Sequence, residues 1–177
     1  KIVKKCVKIY VKKYSGYKFI KNLLDYFKSQ SIDDFIFIDP NDDESEINTE
    51  LIDKLGIKSK HHPYIAPIYR THSPIDEKLL DYINLRKPKY MIMNIAGGHQ
   101  EKLGNWLISN ASYKPVIVCT GAAIAFLTRK QAPISHILDN LYLGWLTRCI
   151  FNPIKFVPRY LKAFSFIFIF FRYYKTI

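Results

Sequence analysis

The chain has 177 residues, enough for one domain that buries about two thirds of the surface its unfolded form exposes, so no metal or disulfide is required to hold it together. Its three cysteines, Cys6, Cys119 and Cys149, are odd in number and far apart, which suggests neither a disulfide framework nor a zinc knuckle and fits buried thiols in a reducing compartment. The formal charge of +12 is uneven: residues 33–53 carry most of the acidic side chains, and none follows Asp139, so the C-terminal end is expected to meet an anionic partner, nucleic acid or a membrane surface.

The chain opens on Lys1, and residues 1–13 lack the apolar core and cleavage site of a secretory signal, so the start reads as an internal cut or a truncated product. A strand or edge segment is expected first. Gly16 is a break, and a helix follows with Phe19, Ile20, Leu23, Leu24 and Phe27 at helical spacing. The apolar run 35–38 ends at Asp39-Pro40 and reads as a buried strand. Residues 41–46 read as an acidic, solvated turn before a short helix over 47–55, stopped by Gly56. His61 and His62 lie in a proline-punctuated loop with a short strand around 64–68. Neighbouring residues point to different sides, so these histidines read as solvated rather than metal-binding.

From Pro74 the elements alternate: helix 75–85, strand 90–95, glycine turn, helix 100–109, strand 115–120, glycine turn, helix 122–127. Both strands are continuous apolar runs, the pattern of a parallel sheet covered on both faces, so the expected fold is α/β with right-handed crossovers. Residues 134–177 read as two helices, one rich in Ile, Leu and Trp to about Phe151 and one that starts near Pro153 and turns strongly aromatic after Ala163.

Three clusters bear on chemistry. Gly97-Gly98-His99-Gln100-Glu101 lies where a buried strand gives way to a helix, and unpaired N–H groups at a helix start suit a phosphate or diphosphate. A lone Gly-Gly is equally well explained by turn geometry. Thr120-Gly121-Ala122-Ala123 has the same form one strand later, and two such turns on neighbouring strands would wall a crevice at the carboxyl edge of the sheet. Neither turn has the glycine spacing of a dinucleotide fingerprint or the ending of a P-loop, which lowers NAD and ATP chemistry and leaves a nucleotide diphosphate attached to a sugar.

The third cluster runs from Gln131-Ala132-Pro133 through Trp145, Arg148 and Pro153 to Arg159-Tyr160. Arg148 and Arg159 suit charge-assisted phosphate contacts, although an arginine on a solvated helix face is the commoner outcome. The following apolar stretch, with Phe164, Phe166, Phe168, Phe170 and Phe171 flanked by Lys162 and Arg172, falls short of the about twenty residues a membrane-crossing helix needs. It fits a segment lying in the membrane interface, with a buried or oligomer-packing helix as the alternative.

The order of these clusters resembles the WecG/TagA/CpsF family, glycosyltransferase family 26. The resemblance is carried by Gly97-Gly98-His99-Gln100-Glu101, Thr120-Gly121-Ala122-Ala123, Ala132-Pro133, and Trp145, Arg148, Pro153, Arg159 and Tyr160. It is specific from about Tyr90 to Leu161. It implies an inverting transfer of N-acetylmannosamine or another hexose from a UDP-sugar to a polyprenyl-diphosphate-linked acceptor in cell-surface polysaccharide synthesis, with no obligatory metal or other cofactor.

On that resemblance the chain is expected to be a Rossmann-like α/β domain over residues 1–133 with a basic, aromatic membrane-docking appendage over 134–177. Gly97, Gly98, His99, Gln100, Glu101, Thr120, Gly121 and Ala122 would bind the donor, and Arg148 and Arg159 the lipid diphosphate. The expected location is peripheral, on the cytoplasmic face of the membrane, against an anionic surface, with a homo-oligomer allowed and no nucleic acid partner.

The sequence also departs from the family pattern. Gly98-His99 stands for Pro-Lys, Ile124-Ala125 for Phe-Asp, Gln131 for Arg, and Gly144 for Glu. The family's N-terminal Asn/Thr site and its aspartate general base have no counterpart here, and Asp33, Asp34 and Asp39 are not assigned that part. A noncatalytic nucleotide-sugar or anion-binding module is the competing expectation, with a nicotinamide-dependent enzyme behind it.

Overall fold

A computed structural model describes residues 15–70, 74–128 and 143–174. The first expected segment, the Gln131-Ala132-Pro133 step and the start of the 134–151 helix lie outside the described residues. The chain divides after Leu127 into two compact units.

In the first unit, α1 (Gly16–Ser29) begins directly at the expected break, because the Ser15 side chain accepts the Lys18 N–H and caps the helix. β1 (Phe35–Asp39) is buried along its whole length. The acidic run expected as a turn is instead the first turn of α2 (Asp42–Lys54): Asn41 accepts the Glu44 N–H at 2.8 Å, and Asp42, Asp43 and Glu44 lie where the helix dipole favours negative charge. After β2 (Tyr64–Ile65) come α3 (Glu77–Arg86), capped by Asp76, β3 (Tyr90–Met93), α4 (His99–Asn110) and β4 (Val116–Cys119). The helix expected over 122–127 forms as a tight 3-10 helix, Gly121–Phe126.

The four strands form one parallel sheet in the order β2-β1-β3-β4, with Phe35 opposite Tyr90 and Tyr90 opposite Val116. Period-two alternation sends Phe35, Phe37 and Ile92 to one face, packed with Ile20, Leu24 and Phe27 of α1, Ile52 of α2 and Ile124. Ile36, Ile38, Met91 and Met93 pack on the other face with Leu79 and Ile83 of α3 and Leu103 and Leu107 of α4. Helices cover both faces, which is why the central strands read as unbroken apolar runs.

His61 corrects the expectation of a solvated pair. It is buried, with Nε2 2.8 Å from Asp34 Oδ1, whereas His62 is exposed. The Asp34 carboxylate also lies 3.3 Å from Lys60 Nζ and accepts the Lys89 N–H at 3.2 Å. The pair thus fastens the loop before β2 to the entries of β1 and β3, a long-range contact with no local sequence signal.

The second unit contains α5 (Gly144–Phe151) and α6 (Pro153–Tyr174). Pro153 supplies no N–H and starts α6 at its first position. The Trp145 and Tyr160 rings meet edge to face with centroids 6.0 Å apart, joining the two helices. Exposed apolar residues run along α6, including Ile154 at 89%, Leu161, Phe166, Phe168 at 78% and Phe170. No helix among the described residues is long and apolar enough to cross a membrane.

Candidate functional site

In the order β2-β1-β3-β4, the chain leaves β1 toward one side of the sheet and lays β3 on the other. The switch point between β1 and β3 opens a crevice at their carboxyl ends, where parallel α/β sheets bind ligands. A cavity of about 310 Å³ lies there, lined by Pro40 after β1, Ala66, Pro67, Ile68 and Tyr69 after β2, and Ile95, Ala96 and His99 after β3.

The start of α4 forms one wall. Gly98 adopts φ +88°, a conformation that side-chain-bearing residues rarely take, and so turns the chain into the helix. The Glu101 carboxylate folds back to accept the Gly98 N–H at 2.5 Å and the Gln100 side-chain amide at 2.9 Å. The Gln100 amide and nearby backbone N–H groups hold this carboxyl below its ordinary range. Gln100 itself is buried, and its Oε1 accepts the N–H of Gly121 at 2.8 Å. The two glycine turns, on adjacent strands as expected, are therefore tied to each other by one side chain.

His99 is partly buried at the cavity wall, its ring centroid 6.4 Å from that of Tyr69, and its Nδ1 is buried without a partner among the described residues. Tyr69 is fixed from behind: its hydroxyl donates to Asp76 Oδ2 at 2.6 Å, while Asp76 also accepts from the Tyr64 hydroxyl and from the Leu79 N–H that begins α3. One carboxylate thus anchors both tyrosines of the 64–69 segment. Burial, reinforced by Asp76, pushes both phenols upward.

Beneath the crevice runs a polar chain. The Asn48 and Asn94 side-chain amides each donate to Asp39 Oδ1 at 2.8 Å. The Thr120 hydroxyl lies 2.7 Å from Asn94 Oδ1 and 2.9 Å from the Met93 carbonyl oxygen. The ends of β1, β3 and β4 are thereby joined.

Of the residues expected to bind a donor, His99 borders the cavity, and Gly97 and Gly98 lie in the turn beside it. Gln100 and Glu101 brace that turn, and Thr120 and Gly121 connect to it through hydrogen bonds. Ala122 belongs to the 3-10 helix. Arg148 is partly buried in α5 and Arg159 is exposed on α6. Phe166, Phe168, Phe170 and Arg172 are exposed; the side chains of Phe164 and Phe171 lie outside the described ones. Sequence reasoning missed Tyr69, Asp76 and Asp39 as parts of the site, and placed Asn94 at the head of the first glycine cluster without a role. A polar residue ending each apolar strand, Asp39 after Ile38 and Asn94 after Met93, was the available signal.

Among the described residues, no three His, Cys, Asp or Glu side chains converge as ligands of a metal ion. No curated protein and no solved structure matches the chain. The order of glycine turns on this parallel sheet agrees with a sequence match across residues 3–176, by which the chain belongs to the glycosyl transferase WecG/TagA/CpsF family, whose members act in cell-surface polysaccharide synthesis.

Proposed function

We propose that this protein binds a UDP-sugar in the crevice between β1 and β3 and transfers the sugar, with inversion, to a polyprenyl-diphosphate-linked acceptor. The observation that carries the reading is the cavity at the topological switch point, beside the Gly97-Gly98 turn and the start of α4, whose dipole favours an anion such as a diphosphate. His99 presents a ring nitrogen to a phosphate or hydroxyl there. Gln100, Glu101, Thr120 and Gly121 hold the turns in place, and Ala122 belongs to the second turn. No metal is needed for such a site to hold a diphosphate.

In this reading Arg148 and Arg159 meet the acceptor's diphosphate. The basic and aromatic helix α6 lies in an anionic membrane interface on the cytoplasmic face, through Phe164, Phe166, Phe168, Phe170, Phe171 and Arg172. A noncatalytic nucleotide-sugar-binding module is the second reading. It draws on the state of two carboxylates near the crevice: Asp39 is fully buried and Glu101 is engaged with Gly98 and Gln100, so neither is free to accept a proton from an acceptor hydroxyl.

The test incubates the full-length protein with a panel of UDP-sugars and a short polyprenyl-diphosphate-linked sugar, and reads both nucleotide binding and a lengthened lipid product. Binding with product supports the enzyme. Binding without product supports the module, and absence of both rejects the crevice as a donor site.

A further inference from the structure

Asp39 is the last residue of β1, at the centre of the sheet, and it is fully shielded from solvent. Its neighbour Pro40 lines the cavity, and its carbonyl oxygen accepts the N–H of Ala66, another lining residue, at 2.8 Å. Its backbone therefore borders the crevice, while its side chain is buried behind the lining, against Asn48 of α2 and Asn94.

The hydrogen-bond account around it does not close for an ionised carboxylate. Oδ1 accepts two amides, from Asn48 and Asn94, and is complete. Oδ2 is buried with no partner, and so is Oδ1 of Asn48. Two orphaned acceptors flank one amide-carboxyl contact, and buried polar groups rarely stay unpaired. Turning the Asn94 amide does not relieve this, because Asn94 Oδ1 already faces the Thr120 hydroxyl.

The charge account fails as well. The ion pairs formed among the described residues join Lys21 to Asp25, Lys54 to Glu50, and Lys60 and His61 to Asp34; none includes Asp39. From α2, the charged group facing it is Glu44, of the same sign, and the Ser45 hydroxyl is nearby. Among the described residues, β3 and β4 present Asn94 and Thr120 at their ends. A buried, unpaired anion is unstable in such a place.

We propose that Asp39 is a positioning residue carried as the neutral acid. Its Oδ2–H donates to Asn48 Oδ1 while its Oδ1 accepts from Asn48 and Asn94, closing a reciprocal acid-amide pair. One proton satisfies both orphaned acceptors and fixes Asn94, and through it Thr120, at the ends of β3 and β4. It also leaves the buried end of β1, next to the crevice, without a negative charge near an incoming diphosphate. Burial, only partly offset by the Asn94 and Asn48 amides and the Ser45 hydroxyl, pushes the carboxyl above its ordinary value in the same direction. The tie itself is independent of the ligand; its consequence for anion binding rests on the UDP-sugar reading above.

The test has two arms. Carbon NMR of protein labelled at the aspartate carboxyl, with the Asp39 signal assigned by its loss in Asp39→Asn, reports the protonation state directly. A protonated signal at pH 6 is expected, and an ionised one overturns the proposal. Calorimetric titration with UDP then compares wild type and Asp39→Asn as pH rises. Equal affinity is expected while Asp39 is neutral, with about a fivefold loss for wild type alone once it ionises. A loss of affinity in Asp39→Asn at low pH, or parallel pH profiles across the Asp39 titration, overturns the positioning role. If neither protein binds UDP, the donor-site reading fails, and the carboxyl signal still decides the tie.

Discussion

Gln100 Oε1 accepts the backbone N–H of Gly121 at 2.8 Å, so a side chain from the start of α4 completes the turn that follows β4. Replacing it by Leu, which fills similar volume, leaves that buried N–H unpaired at a cost of about 1–3 kcal/mol. Urea unfolding of Gln100→Leu should show this loss, together with weaker UDP binding. Gln100→Glu keeps the acceptor for Gly121 but removes the donor to Glu101 and sets two carboxylates side by side, so its loss should be smaller at low pH than at neutral pH.

The two site-turn glycines at positive φ, Gly98 and Gly121, are constrained by backbone alone. A Cβ on Gly98 would meet nothing within 4 Å, and one on Gly121 would meet the Gln100 amide at an ordinary 3.5 Å. Gly98→Ala and Gly121→Ala should therefore each cost about 1–2 kcal/mol through conformational strain. At Gly121, with φ +54°, Asn tolerates the left-handed region better than Ala. Gly121→Asn should recover part of the loss in chemical unfolding midpoints, which steric crowding would not predict.

Asp76 joins three functions: it caps α3 and anchors the hydroxyls of Tyr64 and Tyr69. Asp76→Ala should cost about 2–4 kcal/mol, the cap contributing about 1 and the stranded phenols the rest. Burial and Asp76 raise both tyrosines above their ordinary value of 10, and burial first, then the Asp34 charge, pushes Tyr113 up to about 12. A folded-state value above the unfolded one contributes stability that is complete below pH 10 and lost as pH rises through the folded value. Absorbance titration should show these phenols lagging the exposed ones, with stability falling only above pH 10.

Much of this fold could be read from alternation and punctuation. The buried run at 35–38, the strand-helix alternation after Pro74 and both glycine turns are local patterns, and they recur in the parallel sheet. Residues 41–46 read as a solvated acidic turn, whereas Asn41 caps a helix and the acidic residues after it stabilise its start. The tertiary ties were not legible. Asp39 meets Asn94 across 55 positions, and Gln100 meets Gly121 across 21, and no local periodicity encodes either pairing. Tyr69 was hidden because its importance depends on Asp76 behind it and on the cavity in front.

Asp34 is a counterpart to Asp39 at the opposite end of β1. Burial pushes its carboxyl up, but hydrogen bonds from His61, the Lys89 N–H and Lys60 outweigh that and bring it below its ordinary value of 3.8. The stability it contributes is present above pH 3.8 and lost as pH falls through the lower folded value. Asp34→Asn should cost about 1 kcal/mol at pH 7, kept small by partial exposure and solvent screening, and the difference from wild type should shrink as pH falls below 3.8 and vanish once the folded carboxyl is protonated.

Exposed aromatic residues along α6 tie the membrane reading to a measurable area. Phe166, Phe168 and Phe170 are each more than half exposed. If each gains about 1 kcal/mol in a lipid interface, replacing all three by Ser should lower partitioning to phosphatidylglycerol vesicles by roughly a hundredfold. High salt should weaken wild-type binding, because Lys162 and Arg172 add attraction that ions screen. Vesicle sedimentation checks both effects. Equal partitioning of wild type and the triple variant rejects the membrane role. A wild-type assembly in vesicle-free buffer that the triple variant dissolves into monomers assigns the same aromatic residues to self-association.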